Sequence, residues 1–233
     1  MKILLVAATR AEIEPTLAWL GEFGKAYDQN AKQSLRPTER LECLSIVTGV
    51  GLTATAFRLG QHLALYPPDW VINIGIAGAI DRRLGLGEVV QVKSEIFADV
   101  GVEEADGSFR NLFDLGLVDA QQPPFSGGKM YNPDLASIPL KAANALTVNK
   151  VHGFEPSIEA LRRQYPEAQV ESMEGAAFFY ACLLAGVPFL ALRGISNYVE
   201  KRNRADWQIG LAIQHVNATL QIVLTDWVEA QLR

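Results

Sequence analysis

The chain has 233 residues, enough to bury one substantial core, and an α/β protein of this length is expected to form a single domain over residues 1–233. With 49% hydrophobic and 20% charged residues its composition is that of an ordinary globular protein, and a net charge of -5 gives no broad attraction to nucleic acid or to an anionic membrane. The expected partner is therefore a small molecule. Cys43 and Cys182 stand in apolar surroundings with no zinc-ligand spacing, so they read as buried free thiols suited to a reducing cytoplasm. No run of residues approaches membrane-spanning length.

In chain order, Lys2–Ala8 reads as a buried strand rather than a targeting segment, because the acidic Glu12 and Glu14 follow it directly. Ile13, Leu17 and Leu20 then recur at helical spacing until Gly21 and Gly24 interrupt them. Leu41–Thr48 and the Ala-rich Thr53–Leu65 repeat the strand-helix step, and Trp70–Ile76 is a strand ending in the small-residue segment Gly75-Ile76-Ala77-Gly78. Val89–Ile96 and Ala145–Asn149 are further strands, Ile158–Tyr165 and Glu174–Ala185 helices, Pro188–Ile195 a strand, and Asp206–Ala230 the closing helix. This alternation predicts an α/β fold around a mostly parallel or mixed sheet. Residues Ala98–Asp134, broken by Gln121-Gln122-Pro123-Pro124 and Gly127-Gly128, predict a long loop, either a lid, an oligomer contact or a disordered insertion.

Two segments carry the chemistry. Glu171-Ser172-Met173-Glu174-Gly175-Ala176-Ala177 puts a methionine and a carboxylate at the opening of a helix, and Arg193-Gly194-Ile195-Ser196-Asn197 ends an apolar strand in a polar tip. Together they can hold a nucleoside: Met173 offers a soft apolar face, Glu174 accepts hydrogen bonds from ribose hydroxyls, and Asn197 presents one donor and one acceptor to a purine edge. Gly49-Val50-Gly51 after a strand hints at a dinucleotide fingerprint, but Ala54 replaces the third glycine and no acidic residue follows at the next strand end, which excludes that cofactor. His152 has no second histidine or carboxylate at ligand spacing and reads as structural or as a pocket wall, not as a metal ligand.

In this order and spacing, Lys2-Ile3 through Ala8, Glu12, Gly49-Val50-Gly51, Asn73-Ile74-Gly75-Ile76-Ala77-Gly78, Met173-Glu174 and Ile195-Ser196-Asn197 make the chain resemble the nucleoside phosphorylase and nucleosidase superfamily. The resemblance covers essentially the whole chain. It is closest to the hydrolytic branch that contains methylthioadenosine/S-adenosylhomocysteine nucleosidase and futalosine hydrolase, the latter above all. It implies a three-layer α/β fold, a central mixed β-sheet flanked by helices. Glu12 matches the residue that activates water; read alone it is more often a solvated first-turn glutamate favoured by the helix dipole, and the resemblance reverses that preference. Glu174 and Met173 match the ribose-binding pair, Gly75, Ala77 and Gly78 the segment whose backbone approaches the ligand, Val50 and Trp207 the apolar surround of the 5′ substituent, and Val151 and His152 the base face.

Three positions depart from the family. Ile76 replaces a serine and makes the wall more apolar, Ser172 replaces a glutamate, and Asn197 stands where adenine-specific nucleosidases have an aspartate. An asparagine amide can donate to a 6-oxo oxygen and accept from a protonated ring nitrogen, which favours hypoxanthine or guanine over adenine. The resemblance thus implies an N-ribosyl hydrolase that releases hypoxanthine from futalosine, a step of menaquinone biosynthesis. Arg202 or Arg204 is a candidate partner for the tail carboxylate. No organic cofactor or metal is expected, and the family commonly forms homodimers whose partner chain helps close the site. Methylthioadenosine-type hydrolysis, purine nucleoside phosphorolysis and non-catalytic nucleoside binding remain as alternatives.

Overall fold

The computed structural model describes residues 1–23, 27–28, 35–38, 41–133 and 138–230. Gly24 and Asp134, which figure in the expectations above, lie outside the described residues. In chain order the elements are β1 (Lys2–Ala7), α1 (Arg10–Phe23), β2 (Tyr27–Asp28), β3 (Leu35–Thr38), β4 (Leu41–Val47), α2 (Leu52–Leu65), β5 (Trp70–Ala79), β6 (Val89–Phe97), β7 (Gly101–Glu103), β8 (Phe109–Asn111), β9 (Met130–Tyr131), β10 (Lys141–Thr147), α3 (Glu155–Gln164), β11 (Val170–Ser172), α4 (Gly175–Ala185), β12 (Phe189–Tyr198), a 3-10 turn at Arg204–Asp206, and α5 (Ile209–Ala230).

The sheet is mixed and runs β11-β10-β6-β12-β5-β1-β4-β2. Its strands are apolar on both faces because helices cover both. Along β1, Ile3, Leu5 and Ala7 meet Ile13, Leu17 and Leu20 of α1 and Val216 and Leu220 of α5, whereas Leu4 and Val6 belong with Leu59 and Leu63 of α2 and Phe178 and Phe179 of α4. Helix α4 is buried on most of its circumference, and Phe178, Phe179 and Phe189 pack edge to face. It ends at Gly186, whose left-handed backbone (φ 64°) lets its amide return to the last turn. At its far end the sheet curls: β11 pairs with β10 and also, antiparallel, with β5, so β5, β12, β6, β10 and β11 close into a ring. A third apolar cluster, with Ile80, Leu146, Val148, Ile158 and Val199, sits beside this closure.

Several boundaries differ from the sequence expectation. The strand expected at Trp70–Ile76 continues to Ala79, because β12 and β11 supply partners on both of its edges. The strand expected at Ala145–Asn149 is Lys141–Thr147, its first half disguised by alanines of low β-propensity. Strand β12 runs on past Ile195 to Tyr198 with a register shift between Ile195 and Asn197, and the closing helix starts at Ile209 after the 3-10 turn. Glu174 caps α4 instead of opening it. The expected long loop holds a β7-β8 hairpin turned at Asp106-Gly107 (Gly107 φ 80°) and the short β9 laid against β6.

Candidate functional site

Glu12 stands in the first turn of α1 and is 8% exposed. Its Oε2 accepts from the Thr9 amide (2.9 Å) and the Thr9 hydroxyl (2.8 Å), while the Glu12 amide donates to Thr9 Oγ1 at 3.4 Å. Thr9-Arg10-Ala11-Glu12 is thus a reciprocal capping box, so the helix-start reading of this glutamate is physically correct. It is also incomplete, since Oε1 is left over and accepts from the Ile76 amide at the end of β5 (3.3 Å). The backbone of Glu12 is fixed from α5: the buried Asn217 donates through Nδ2 to the Glu12 carbonyl (2.8 Å) and accepts at Oδ1 from the Thr16 amide and hydroxyl (3.1 and 2.7 Å). A side-chain amide inserted at this turn holds the helix that carries the carboxylate.

Gly75 permits that approach. A Cβ at residue 75 would lie 3.0 Å from Glu12 Oε1 and 4.0 Å from the guanidinium carbon of Arg193, so the carboxylate and the guanidinium meet over one bare stretch of backbone. Arg193, on β12 opposite Gly75, is only 2% exposed. It donates to Asn73 Oδ1 (2.5 Å) and to the Leu192 carbonyl (3.0 Å), and Asn73 in turn donates to the Val6 carbonyl (2.9 Å). A buried cation is tolerable only with such partners.

Glu174 reaches across to α2, where its Oε1 accepts from the Gly51 amide at 2.9 Å. Gly49 and Gly51 both have φ of 92°, a conformation that frees the Gly51 N–H to face the carboxylate and leaves Val50 exposed between them. Burial pushes the Glu174 carboxyl up; the Gly51 amide and Arg193 pull it down, and the Glu12 charge raises it again. Glu12, Glu174 and Arg193 are thereby one electrostatic group. Beneath it lies Glu95, fully buried, with Oε2 accepting from the Thr147 hydroxyl (2.9 Å), which itself accepts from the Ala176 amide (2.7 Å).

Asn197 sits one strand over from Gly78, and a Cβ at Gly78 would lie 3.1 Å from its Nδ2. Its Oδ1 accepts from Ser196 Oγ (2.8 Å) and its Nδ2 donates to the Tyr198 carbonyl (3.0 Å), leaving one N–H and one lone pair for a ligand. Glu171 is registered with Gly78 from the other side. Its side chain turns to His152, accepting from the backbone amide (2.9 Å) and contacting Nδ1 (2.5 Å). Trp207 lies below two guanidiniums, Arg202 at 5.2 Å and Arg204 at 5.9 Å from the ring centroid, and Arg202 N–H donates to the Gly153 carbonyl (3.2 Å), which ties the His152 segment to the Asn197–Trp207 connection.

The sequence-derived residues therefore gather around the end of β5. Glu12 touches Gly75 and Ile76, Asn197 lies against Gly78, Ala77 is buried between them with its carbonyl facing Ser196, and Glu174 joins through Glu12 and Arg193. Met173 is half-buried beside Glu174. Ser172 is buried, its hydroxyl without a hydrogen-bond partner among the described residues, and Val151 packs against the third apolar cluster. Among the described residues no group of three or more His, Cys, Asp or Glu is arranged to hold a metal ion. Sequence reasoning quoted Arg193 and Asn73 within its motifs without giving them a role, and missed Glu95, Thr147 and Asn217. The available signals were a charge inside the apolar run Phe189–Ile195, a polar side chain inside Val71–Ile74, and the spacing of Thr9 to Glu12.

A model of the phosphorylase superfamily matches residues 2–229. The chain is 32% identical to futalosine hydrolase from Acidothermus cellulolyticus across 97% of its own length and 92% of that protein. It is 26% identical to 5′-methylthioadenosine/S-adenosylhomocysteine nucleosidase from Glaesserella parasuis across 87% of its length and 88% of that protein. Among solved structures, 5′-methylthioadenosine/S-adenosylhomocysteine nucleosidase from Helicobacter pylori with butyl-thio-DADMe-Immucillin-A superposes with a TM-score of 0.78 at 18% identity, covering 97% of this chain and 98% of that one.

Proposed function

This chain belongs to the phosphorylase superfamily, and we propose that it is an N-ribosyl hydrolase that cleaves futalosine, a hypoxanthine nucleoside with a carboxyphenyl-bearing 5′ chain, within menaquinone biosynthesis. In this reading water attacks the anomeric carbon, its proton passes to Glu12, the C–N bond breaks with its electron pair going to the purine, and solvent protonates the departing base. Glu12 suits the first role because Thr9 pins one carboxylate oxygen and leaves the other at Gly75-Ile76. A general base so placed contributes about 10²–10⁴-fold in rate. Glu174 takes the ribose hydroxyls, and its contacts strengthen as the sugar becomes an oxocarbenium-like cation. Val50, Ile76, Met173 and Trp207 supply the apolar walls, and the guanidiniums stacked on Trp207 are placed to meet a tail carboxylate.

The observation that carries the 6-oxopurine reading is Asn197, an amide whose position is fixed by Ser196 and Tyr198. A phosphorylase needs free cations for phosphate, whereas Arg193 is engaged by Asn73 and flanked by carboxylates. The 26% identity to a methylthioadenosine-type enzyme favours a second reading, adenine nucleoside hydrolysis. A homodimer is supported by Phe57 and Leu65 of α2 and Tyr180 and Leu184 of α4, large apolar side chains left exposed on neighbouring helices. The test is initial-rate release of free base from futalosine, inosine and methylthioadenosine: fast hypoxanthine release from futalosine is expected, and faster adenine release from methylthioadenosine overturns the assignment.

A further inference from the structure

The head of α4 is capped from the sheet and not by its own N-cap residue. Glu174 holds the N-cap position, yet its side chain makes no hydrogen bond to the helix, and its Oε1 is engaged by the Gly51 amide across the site. An N-cap side chain ordinarily accepts from the amide of the second or third helical residue. Here the second amide, that of Ala176, donates instead to Thr147 Oγ1 of β10 at 2.7 Å. Thr147 in turn donates to Glu95 Oε2 of β6 at 2.9 Å. Hydroxyl and carboxyl together replace the missing cap, which leaves the Glu174 side chain free to face a ligand.

The register of the strands brings both groups to this point. Glu95 is paired with Ala145, which stands two residues before Thr147 on the same face of β10. Thr147 is paired with Ser172, the last residue of the strand that leads into Glu174. Both side chains are fully buried. The Glu95 carboxyl also occupies the space that a side chain at Gly175 would need: a Cβ there would stand 2.6 Å from the carboxyl carbon and collide with Oε1. Gly175 is not among the glycines with positive φ, so its missing side chain answers to this close approach and not to a turn. Among the described residues Oε1 meets no hydrogen-bond partner, and an apolar side chain would fill the same core at lower cost.

We propose that Glu95, acting through Thr147 and Gly175, is a positioning residue for Glu174: it holds the head of α4 against the sheet and so sets where that carboxylate meets the ribose hydroxyls. The inference rests on the ribose role given to Glu174 above and adds the group that fixes its place. Glu95 itself does not touch the nucleoside. A misplacement of about 1 Å in such a site can cost about 10²-fold in rate, and a hydrogen bond to a charged group that is lost altogether costs about tenfold or more.

The experiment compares kcat/KM for futalosine and its 2′-deoxy counterpart in the wild type, Glu95→Ala, Glu95→Gln and Thr147→Val, with thermal melts to establish that each variant folds. The deoxy substrate lacks a hydroxyl that Glu174 accepts from, so the ribo to deoxy ratio reports the placement of that carboxylate, which a general loss of stability would not move. The ratio is expected to fall about tenfold or more in Glu95→Ala and in Thr147→Val, and to be retained in Glu95→Gln, which keeps the outline and an acceptor for Thr147. Assays at about pH 6, below the value of about 7 to which burial raises the Glu95 carboxyl, compare glutamine with the uncharged acid. If Glu95→Ala does not fold, Thr147→Val, of nearly the same outline as the native residue, decides the matter. An unchanged ratio in the folded variants overturns the inference and leaves the Glu174 assignment standing, and so does a Glu95→Gln variant that loses as much as Glu95→Ala. A wild type that does not distinguish the two sugars overturns the ribose role of Glu174 and the inference with it.

Discussion

Replacing Glu95 by glutamine tests how heavily an ionised carboxylate beneath α4 weighs on the fold. Glu95 is fully buried; one oxygen accepts from Thr147, and among the described residues the other meets no hydrogen-bond partner. Burial pushes its carboxyl from the ordinary 4.5 up to about 7, against the pull of Arg193 and Thr147. Between those values the folded chain keeps a proton that the unfolded chain has released, so stability falls as pH rises through this window and is fully present only below it. The gap corresponds to about 3 kcal/mol once Glu95 is ionised. Glutamine has the same outline, keeps an acceptor for Thr147 and never ionises. Urea unfolding of both proteins at about pH 5 and about pH 8 isolates the effect, since the titrating groups that do not interact with Glu95 cancel; the variant should gain about 2–3 kcal/mol on the wild type between the two conditions. A stability difference that is the same at both pH values would refute the reasoning.

Glu12→Gln should lower kcat about 10²–10⁴-fold with little change in the melting temperature, because glutamine still completes the capping box with Thr9; steady-state kinetics and a thermal melt check both halves, and retained kcat removes Glu12 from the chemistry. Asn197→Asp exchanges the donor that meets the Tyr198 carbonyl at 3.0 Å for an oxygen that must carry a proton to stay there. Competition between hypoxanthine and adenine nucleosides should then shift toward adenine by about tenfold or more, and an unmoved ratio contradicts the role given to the amide. Asn217→Ala strips the partners of the Thr16 amide and hydroxyl and of the Glu12 carbonyl, and should cost about 2–4 kcal/mol in urea unfolding together with a fall in kcat. Full activity in that variant would mean that α5 does not position Glu12.

The layered architecture was legible because strands covered on both faces read as mostly apolar runs: Ile3–Ala7 is unbroken, and Leu41–Val47 is interrupted only by Glu42 and Ser45. The three-residue β11 was not legible, since its existence depends on β5 and β10 arriving on either side of it. Glu12, Glu174 and Asn197 stood out through the resemblance and their positions at element ends. Arg193 and Glu95 did not, because a charge in an apolar strand becomes meaningful only when the partner strand shows what faces it. Glu171 stood in a quoted segment without a role; the fold shows that it points at His152, a contact between β11 and the loop after β10 that no spacing encodes.

The central claim is that water, rather than phosphate, takes the sugar from a 6-oxopurine. Mass analysis of the products of futalosine turned over in phosphate buffer tests it most directly: the account predicts hypoxanthine and a free sugar, and a sugar 1-phosphate, or no release of hypoxanthine at all, would contradict it.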